Sequence, residues 1–257
     1  MWDAGEYLKY SDERSRPFAD LMAQVRTPEA RFIADLGCGT GHLTQTLTER
    51  WPSARVVGVD SSPEMLAKAI PLAVPGRLEF VQDDLAAWSP GEPVDLIVIN
   101  AALQWVSDHD VVIPRLAGML APGGTLAVQM PNRFQTPSQA AIEETVADPR
   151  WASSLTGVGL HRESVMPASW YVHKIRDLGY SVNAWETTYI HVLKGENPVL
   201  GWLKGTALRP LLERVGPNQE GEFLRALGGR LAAAYPARGA VTLFPFPRLF
   251  VVATREG

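Results

Sequence analysis

One stretch restricts this chain more than any other: Arg31–Gly41, RFIADLGCGTG, followed by Arg55–Met65, RVVGVDSSPEM. A short apolar run ends in an acid, Asp35, and passes into a turn with glycines at 37, 39 and 41. Helical spacing follows, with Leu43 and Leu47 four apart, and a second apolar run ends in Asp60. Strand, glycine loop, helix, strand and acid open a nucleotide-binding α/β sheet. Without a Cβ, glycine lets the chain turn sharply and brings its backbone close to a ligand.

The details select among nucleotides. A dinucleotide fingerprint wants Gly or Ala at position 42, where this chain has His42. Asp35 would repel a pyrophosphate near the loop but suits a cationic amino group. Asp60 is placed to accept both hydroxyls of a ribose. The combination points away from NAD and toward S-adenosylmethionine (AdoMet). A purely structural glycine turn is the plain alternative. Cys38, inside the loop, reads as a small side chain packed under the turn rather than a nucleophile.

Five apolar runs, FIADL, RVVGVD, LEFVQ, DLIVIN and TLAVQM, alternate with the helical segments HLTQTLTERW, SPEMLAKAI and VIPRLAGML. Such continuous runs predict strands buried on both faces, hence a parallel, doubly wound sheet. Ser61, Ser62, Pro63 and Glu64 form a helix start. Ligands of such sheets bind at the carboxyl ends of the strands. There the third strand offers Asp84, able to accept from an adenine amino group, and Leu85, able to pack on its ring. The fourth ends in Asn100, with Gln104 and Trp105 just beyond. The glycines of APGGTL, 121–126, read as a structural turn.

The remainder is less regular. Pro17 predicts a helix start, with Phe18, Leu21, Met22 and Val25 as its buried stripe. From 132 to 170 no strand pattern stands out. SWYVHKIRDLGY is helical, ETTYIHVL is a strand, and the segments between 194 and 240 are helical. The prolines of TLFPFPRLFVVATR mark it as an edge or hairpin strand. We expect one domain over 1–257. Its core is 27–131 with 171–193 and 241–257, its helical cap 132–170 with 194–240, and its N-terminal lid 1–26.

Net charge is −4 with a pI near 5.8, which argues against a nucleic-acid partner. No run has transmembrane length and no signal pattern opens the chain. Together with a single cysteine, this predicts a cytoplasmic protein without membrane attachment. No Cys/His cluster has metal-ligand spacing.

ADLGCGTG, GVDSSPEML and VDLIVINAALQWV resemble the class I AdoMet-dependent methyltransferases. YLKYSDERSRP, AALQW, LAVQMPN, TTYIHVL, GTALRP and FPRLFVVA are similar to a narrower branch that esterifies a small tricarboxylate. The resemblance implies a Rossmann-like, mostly parallel seven-stranded sheet with its last strand antiparallel. It further implies methylation of a carboxylate oxygen. Carried to this sequence, it makes Asp35, Gly37 and Gly39 hold the methionine end of the cofactor. Asp60 takes the ribose, Asp84 the adenine amino group, and Asn100 lies near the donor end. Cys38, Ser61, Met65 and Leu85 complete the cofactor set.

A carboxylate is ionised at pH 7, so its methylation needs no general base, and no catalytic acid or base is assigned. An acceptor with three carboxylates needs clustered cationic and donor groups, for which arginine forks are best suited. Arg209 and Arg248 rank first because each sits in apolar sequence, where an unpaired charge is costly. Arg16 ranks next, followed by Arg14 and Arg133. Tyr7, Tyr10, Gln104, Trp105, Tyr189, His191 and Trp202 are the candidate rim partners. For any single arginine the plain alternative is a surface charge, and for His191 a satisfied core histidine.

Overall fold

A computed structural model describes residues 11–132, 135–157, 165–205 and 207–256. The fold divides into two compact units. One comprises the described residues of Asn132–Arg162 and Thr188–Pro247 with the chain start. The other comprises Arg14–Pro131, Glu163–Thr187 and the described residues of Arg248–Gly257.

Seven strands form one sheet: β1 (Phe32–Leu36), β2 (Arg55–Asp60), β3 (Leu78–Gln82), β4 (Val94–Asn100), β5 (Leu120–Pro131), β6 (Tyr180–Lys194) and β7 (Val241–Arg255), in the order β3-β2-β1-β4-β5-β7-β6. The first five pair in parallel, and β7 pairs antiparallel to β5. β1 and the interior of β4 are buried along their length, as their continuous apolar runs require. β3 departs from this pattern: it is an edge strand, and Val81 is exposed. The sheet's direction of growth reverses between β1 and β4, and such reversal points open the crevice where ligands bind. The APGGTL glycines lie where the β4–β5 register shifts, between the pairs Val94–Leu120 and Leu96–Thr125.

β7 excludes one of two expectations. Its prolines suggested an edge or a hairpin strand, and the strand lies between β5 and β6, so it is no edge. The reason is local. Pro245 and Pro247 precede the residues that pair with β5, which run from Arg248 to Thr254. The missing N–H groups therefore leave that ladder intact.

The first described helix, Ser11–Gln24, begins ahead of Pro17, which lies inside it. Phe18, Leu21, Met22 and Val25 are buried as the spacing predicts. Arg50, at the end of helix His42–Arg50, donates to the carbonyls of Met22 and Val25. It satisfies backbone acceptors at the end of the first helix. Helix Pro63–Ala69 starts as read: Ser62 caps it, accepting from Met65 N–H at 3.3 Å.

The other unit has its own apolar core, which includes Trp151, Trp202, Phe223, Leu227, Phe244 and Phe246. Helix Pro217–Ala234 packs against Pro137–Val146, Pro198–Lys204 and Arg209–Val215. Helix Pro137–Val146 lies in the segment expected to belong to the helical cap, although no periodicity marks it there. Its signal is the pair Thr136–Pro137, a side-chain cap and a first-turn proline.

Candidate active site

The glycine loop leaves β1 at Leu36 and enters helix His42–Arg50. Gly37, Gly39 and Gly41 all have positive φ, at 80°, 56° and 77°. Two of them are also sterically required. A Cβ on Gly37 would lie 2.2 Å from the Cβ of Ala102, and one on Gly41 would lie 2.7 Å from the ring of Phe80. A Cβ on Gly39 would meet nothing within 4 Å, so this glycine faces open space.

Two acids brace the loop. Asp35 is buried, and Thr44 Oγ1 donates to its Oδ2 at 2.6 Å. Burial, opposed by the Thr44 hydrogen bond and reinforced by the charge of Asp60, raises its pKa to about 6. Asp60 accepts the N–H of Gly39 at 2.8 Å on Oδ2 and that of Ser62 at 2.9 Å on Oδ1. Each oxygen keeps a lone pair for a ligand hydroxyl. Cys38 lies between these acids. Burial, together with the charges of Asp35 and Asp60, holds its thiol far above the ordinary range, so it is no nucleophile.

Beyond β3, Asp84 is exposed, and its Oδ1 accepts Ala86 N–H at 2.7 Å. Leu85 beside it is buried. Arg115, from helix His109–Gly118, donates to the carbonyls of Leu85 and Trp88 and pins this loop.

The ends of β4, β5 and β7 have a different character. Asn100 and Gln129 are register partners on β4 and β5. Ala101, next to Asn100, has φ 56° although it is not glycine, and its N–H donates to the carbonyl of Gln129 at 2.8 Å. Non-glycine residues at positive φ store strain, which gathers at functional sites. Gln104 Nε2 donates to the Ala101 carbonyl at 2.6 Å. Arg248, only 5% exposed, donates from Nη1 to Gln129 Oε1 at 3.1 Å. Three buried atoms here, Asn100 Oδ1, Gln104 Oε1 and Gln129 Nε2, have no hydrogen-bond partner among the described residues. Leaving such atoms unpaired costs about 1–3 kcal/mol each, so a cluster of them marks a place for a ligand.

A methyltransferase domain model matches residues 33–124. Among known proteins, trans-aconitate 2-methyltransferase of Streptomyces avermitilis is 47% identical, over 99% of this chain and 97% of its own length. The enzyme of that name from Azoarcus sp. is 44% identical over 99% of each chain. The one from Mycobacterium tuberculosis is 41% identical over 100% of this chain and 98% of its own. The chain belongs to the trans-aconitate 2-methyltransferase family.

Solved structures agree on the fold of this family member. The YcgJ protein of Bacillus subtilis superposes with a TM-score of 0.59 at 14% identity, covering 93% of this chain and 99% of its own. The plantazolicin methyltransferase BpumL, solved with a pentazolic desmethylPZN analogue and SAH, gives 0.55 at 14% identity, covering 98% and 90%. These likenesses show the class I, Rossmann-like methyltransferase fold. Among the described residues, no helix is long and apolar enough to cross a membrane.

Within this trans-aconitate 2-methyltransferase family member, the expected acceptor residues are placed unevenly. Gln104 and Trp105 share one 3-10 turn, Leu103–Trp105, and Trp105 is 45% exposed. Arg248 lies at the end of the β5–β7 ladder, opposite Pro131. Arg16 is exposed on helix Ser11–Gln24. Arg209 opens helix Arg209–Val215, and only its backbone is described. Tyr7, Tyr10 and Arg133 lie outside the described residues, as does the side chain of Arg14.

His191, Tyr189 and Trp202, expected at a rim, are buried instead. The His191 ring stacks on Trp202 at 4.3 Å, with Phe244 and Phe246 around them. His191 and Tyr189 do share one face of β6, as alternation requires; that face packs inward. Gln129 was missed altogether. Its signal was available: one amide in the apolar run LAVQM, on a strand buried on both faces, demands a partner.

Proposed function

We propose that the chain uses AdoMet to methylate a carboxylate of trans-aconitate, giving a monomethyl ester. The observation that carries this is the split in chemistry along one end of the sheet. Asp35 near the end of β1, Asp60 at the end of β2 and Asp84 just beyond β3 are acids, while β4, β5 and β7 present amides and a buried guanidinium. The acidic half suits a cationic, hydroxyl-bearing cofactor, and the other half suits an anion. Names of relatives at 41–47% identity over nearly the full length support the substrate.

The residues fit AdoMet on two observations: the open space beside Gly39 and the orphaned, buried Asn100 Oδ1. Asp35 supplies negative potential beneath the loop for a cationic amino group. Gly37, Cys38 and Gly39 supply close-approaching backbone. Asp60, already oriented by two N–H groups, takes the ribose hydroxyls, with Ser61 and Met65 beside it. Asp84 and Leu85 hold the adenine, and Asn100 closes the donor end. When bound, AdoMet supplies an activated methyl group.

The chain's own contribution is positioning. The acceptor carboxylate is ionised at neutral pH, so no side chain has to remove a proton. Holding the two reactants in line and keeping water out accounts for the rate. Gln104, Trp105 and Arg248 are the acceptor-side residues in this reading, with Arg16 as a further candidate. We place the enzyme in the cytoplasm, consistent with one half-buried thiol and an acidic surface.

The test is mass spectrometry of reactions with AdoMet and trans-aconitate, cis-aconitate, isocitrate, citrate or a simple monocarboxylate. One methyl ester on trans-aconitate, and little on the others, supports the proposal. Cofactor binding without any ester overturns the substrate and leaves another small or carrier-bound acid as acceptor.

A further inference from the structure

Gln129 has been counted above only as the amide that β5 contributes to the anion-suited half, with no role of its own. It is fully buried at the carboxyl end of β5, opposite Asn100 on β4 and Phe250 on β7. The identity of its two amide atoms is settled by chemistry. Arg248 carries only donors, and its Nη1 lies 3.1 Å from the amide, so the atom it faces is Oε1. Nε2 is thereby turned away from Arg248, and it has no partner among the described residues.

Strand order indicates what Nε2 is for. The acids assigned to the cofactor lie at or near the carboxyl ends of β1, β2 and β3, on one side of the reversal between β1 and β4. Asn100 on β4 marks the donor end, and β5 is the next strand outward. Among the orphaned amide atoms near these strand ends, Asn100 Oδ1 and Gln104 Oε1 accept, and Gln129 Nε2 donates. A donor fixed from behind by a buried guanidinium matches a ligand that only accepts, which an ionised carboxylate does.

We infer that Gln129 binds the acceptor: its Nε2–H donates to one oxygen of a substrate carboxylate. Arg248 is the positioning residue that locks the amide in the donating orientation and adds positive potential. The inference rests on the proposed carboxyl methylation.

The test uses the full chain and the variants Gln129→Met, Gln129→Glu and Arg248→Lys. Met keeps the length but removes the donor. Glu keeps the shape but turns an acceptor toward the ligand. For each, calorimetry measures binding of S-adenosylhomocysteine, and then of trans-aconitate to the loaded protein, beside steady-state methylation. We expect S-adenosylhomocysteine affinity to stay within about twofold of the parent. For Gln129→Met, acceptor Kd and KM should rise roughly tenfold to a hundredfold, the range for hydrogen bonds to charged groups. Gln129→Glu should be worse, and Arg248→Lys should raise KM more than it lowers kcat.

Acceptor binding within twofold of the parent in Gln129→Met overturns the inference, as does an equal loss of cofactor-product affinity. If Gln129→Met does not fold, the same criteria apply to Gln129→Glu and Arg248→Lys. Failure of the parent protein itself to bind or methylate trans-aconitate, with S-adenosylhomocysteine bound, overturns the substrate proposal and the inference with it. That outcome is read in the parent alone, which keeps the two failures distinct.

Discussion

The carboxylate of Asp60 accepts the backbone N–H of Gly39 at 2.8 Å, joining the end of β2 to the glycine loop after β1. Its other oxygen takes the N–H of Ser62. The acid that reads as a ribose ligand therefore also holds the shape of the loop.

Asp60→Ala should then fail in two ways. It removes the acceptor for ribose hydroxyls and leaves two backbone donors unpaired. AdoMet affinity should fall by roughly a hundredfold or more, from the loss of two hydrogen bonds. Unfolding should come roughly 2–8 °C earlier, from about 1–2 kcal/mol at 2–4 °C per kcal/mol. Calorimetric titration and a thermal melt check both. An unchanged Tm would mean the loop holds its shape without Asp60.

Asp35 predicts a trade between stability and binding. Its carboxyl titrates near 6 in the fold and near 3.8 as a free group. Between those values the folded state holds the extra proton, so stability falls as pH rises through the window and stays reduced above 6. At neutral pH the cost is on the order of 3 kcal/mol, at about 1.4 kcal/mol per pKa unit. Asp35→Asn should raise the Tm at pH 7.5 while weakening AdoMet at least about tenfold, since it removes a charge–charge attraction. In the parent, AdoMet affinity should rise from pH 5 to 7 as Asp35 ionises. A less stable Asp35→Asn variant, together with pH-independent AdoMet binding in the parent, would assign Asp35 to packing alone.

Gly37→Ala and Gly39→Ala separate fold from ligand. Both pay for positive φ, about 1–2 kcal/mol. Gly37→Ala also drives its Cβ into Ala102 and should unfold readily. Gly39→Ala meets nothing and should fold, yet lose AdoMet, because its methyl occupies the space assigned to the ligand. Normal AdoMet affinity in folded Gly39→Ala would show that the cofactor does not approach there.

His109 gives a second pH signature. Its ring is buried, with Nδ1 2.7 Å from Tyr171 Oη and Nε2 3.0 Å from the Leu103 carbonyl. The carbonyl requires Nε2–H, so Nδ1 accepts from Tyr171. Burial holds the pKa below its ordinary value. Stability should therefore be lost as pH falls below about 6.5, the free imidazole value, where the unfolded ring takes up a proton first. In Tm measured against pH, His109→Gln should start lower at pH 7.5 and decline less steeply toward pH 5. Parallel curves would remove His109 from the acid response.

The parts of the fold legible in the sequence are those where one physical demand dominates. Strands buried on both faces must be apolar throughout, so β1, β2 and β4 stand out with Asp60 and Asn100 at their ends. A turn that needs positive φ must use glycine, so the loop stands out too. What stayed hidden depends on neighbours far along the chain. Nothing near Pro245 and Pro247 tells that pairing with β5 starts only at Arg248. The Trp202 ring that stacks on His191 comes from helix Pro198–Lys204. Gln129 was overlooked because a single amide reads as noise in an apolar run until Arg248 is seen beside it.

The placement of β7 between β5 and β6 has a consequence for biogenesis. On the ribosome, β6 and the helices from Pro198 to Ala234 emerge before β7 exists, so β6 has no neighbour in the sheet to receive it. Until Val241–Arg255 arrives, β5 presents a bare edge to the solvent, the kind of edge that recruits other chains. Translational pausing between 194 and 241 should therefore be the moment when the nascent enzyme most needs a chaperone.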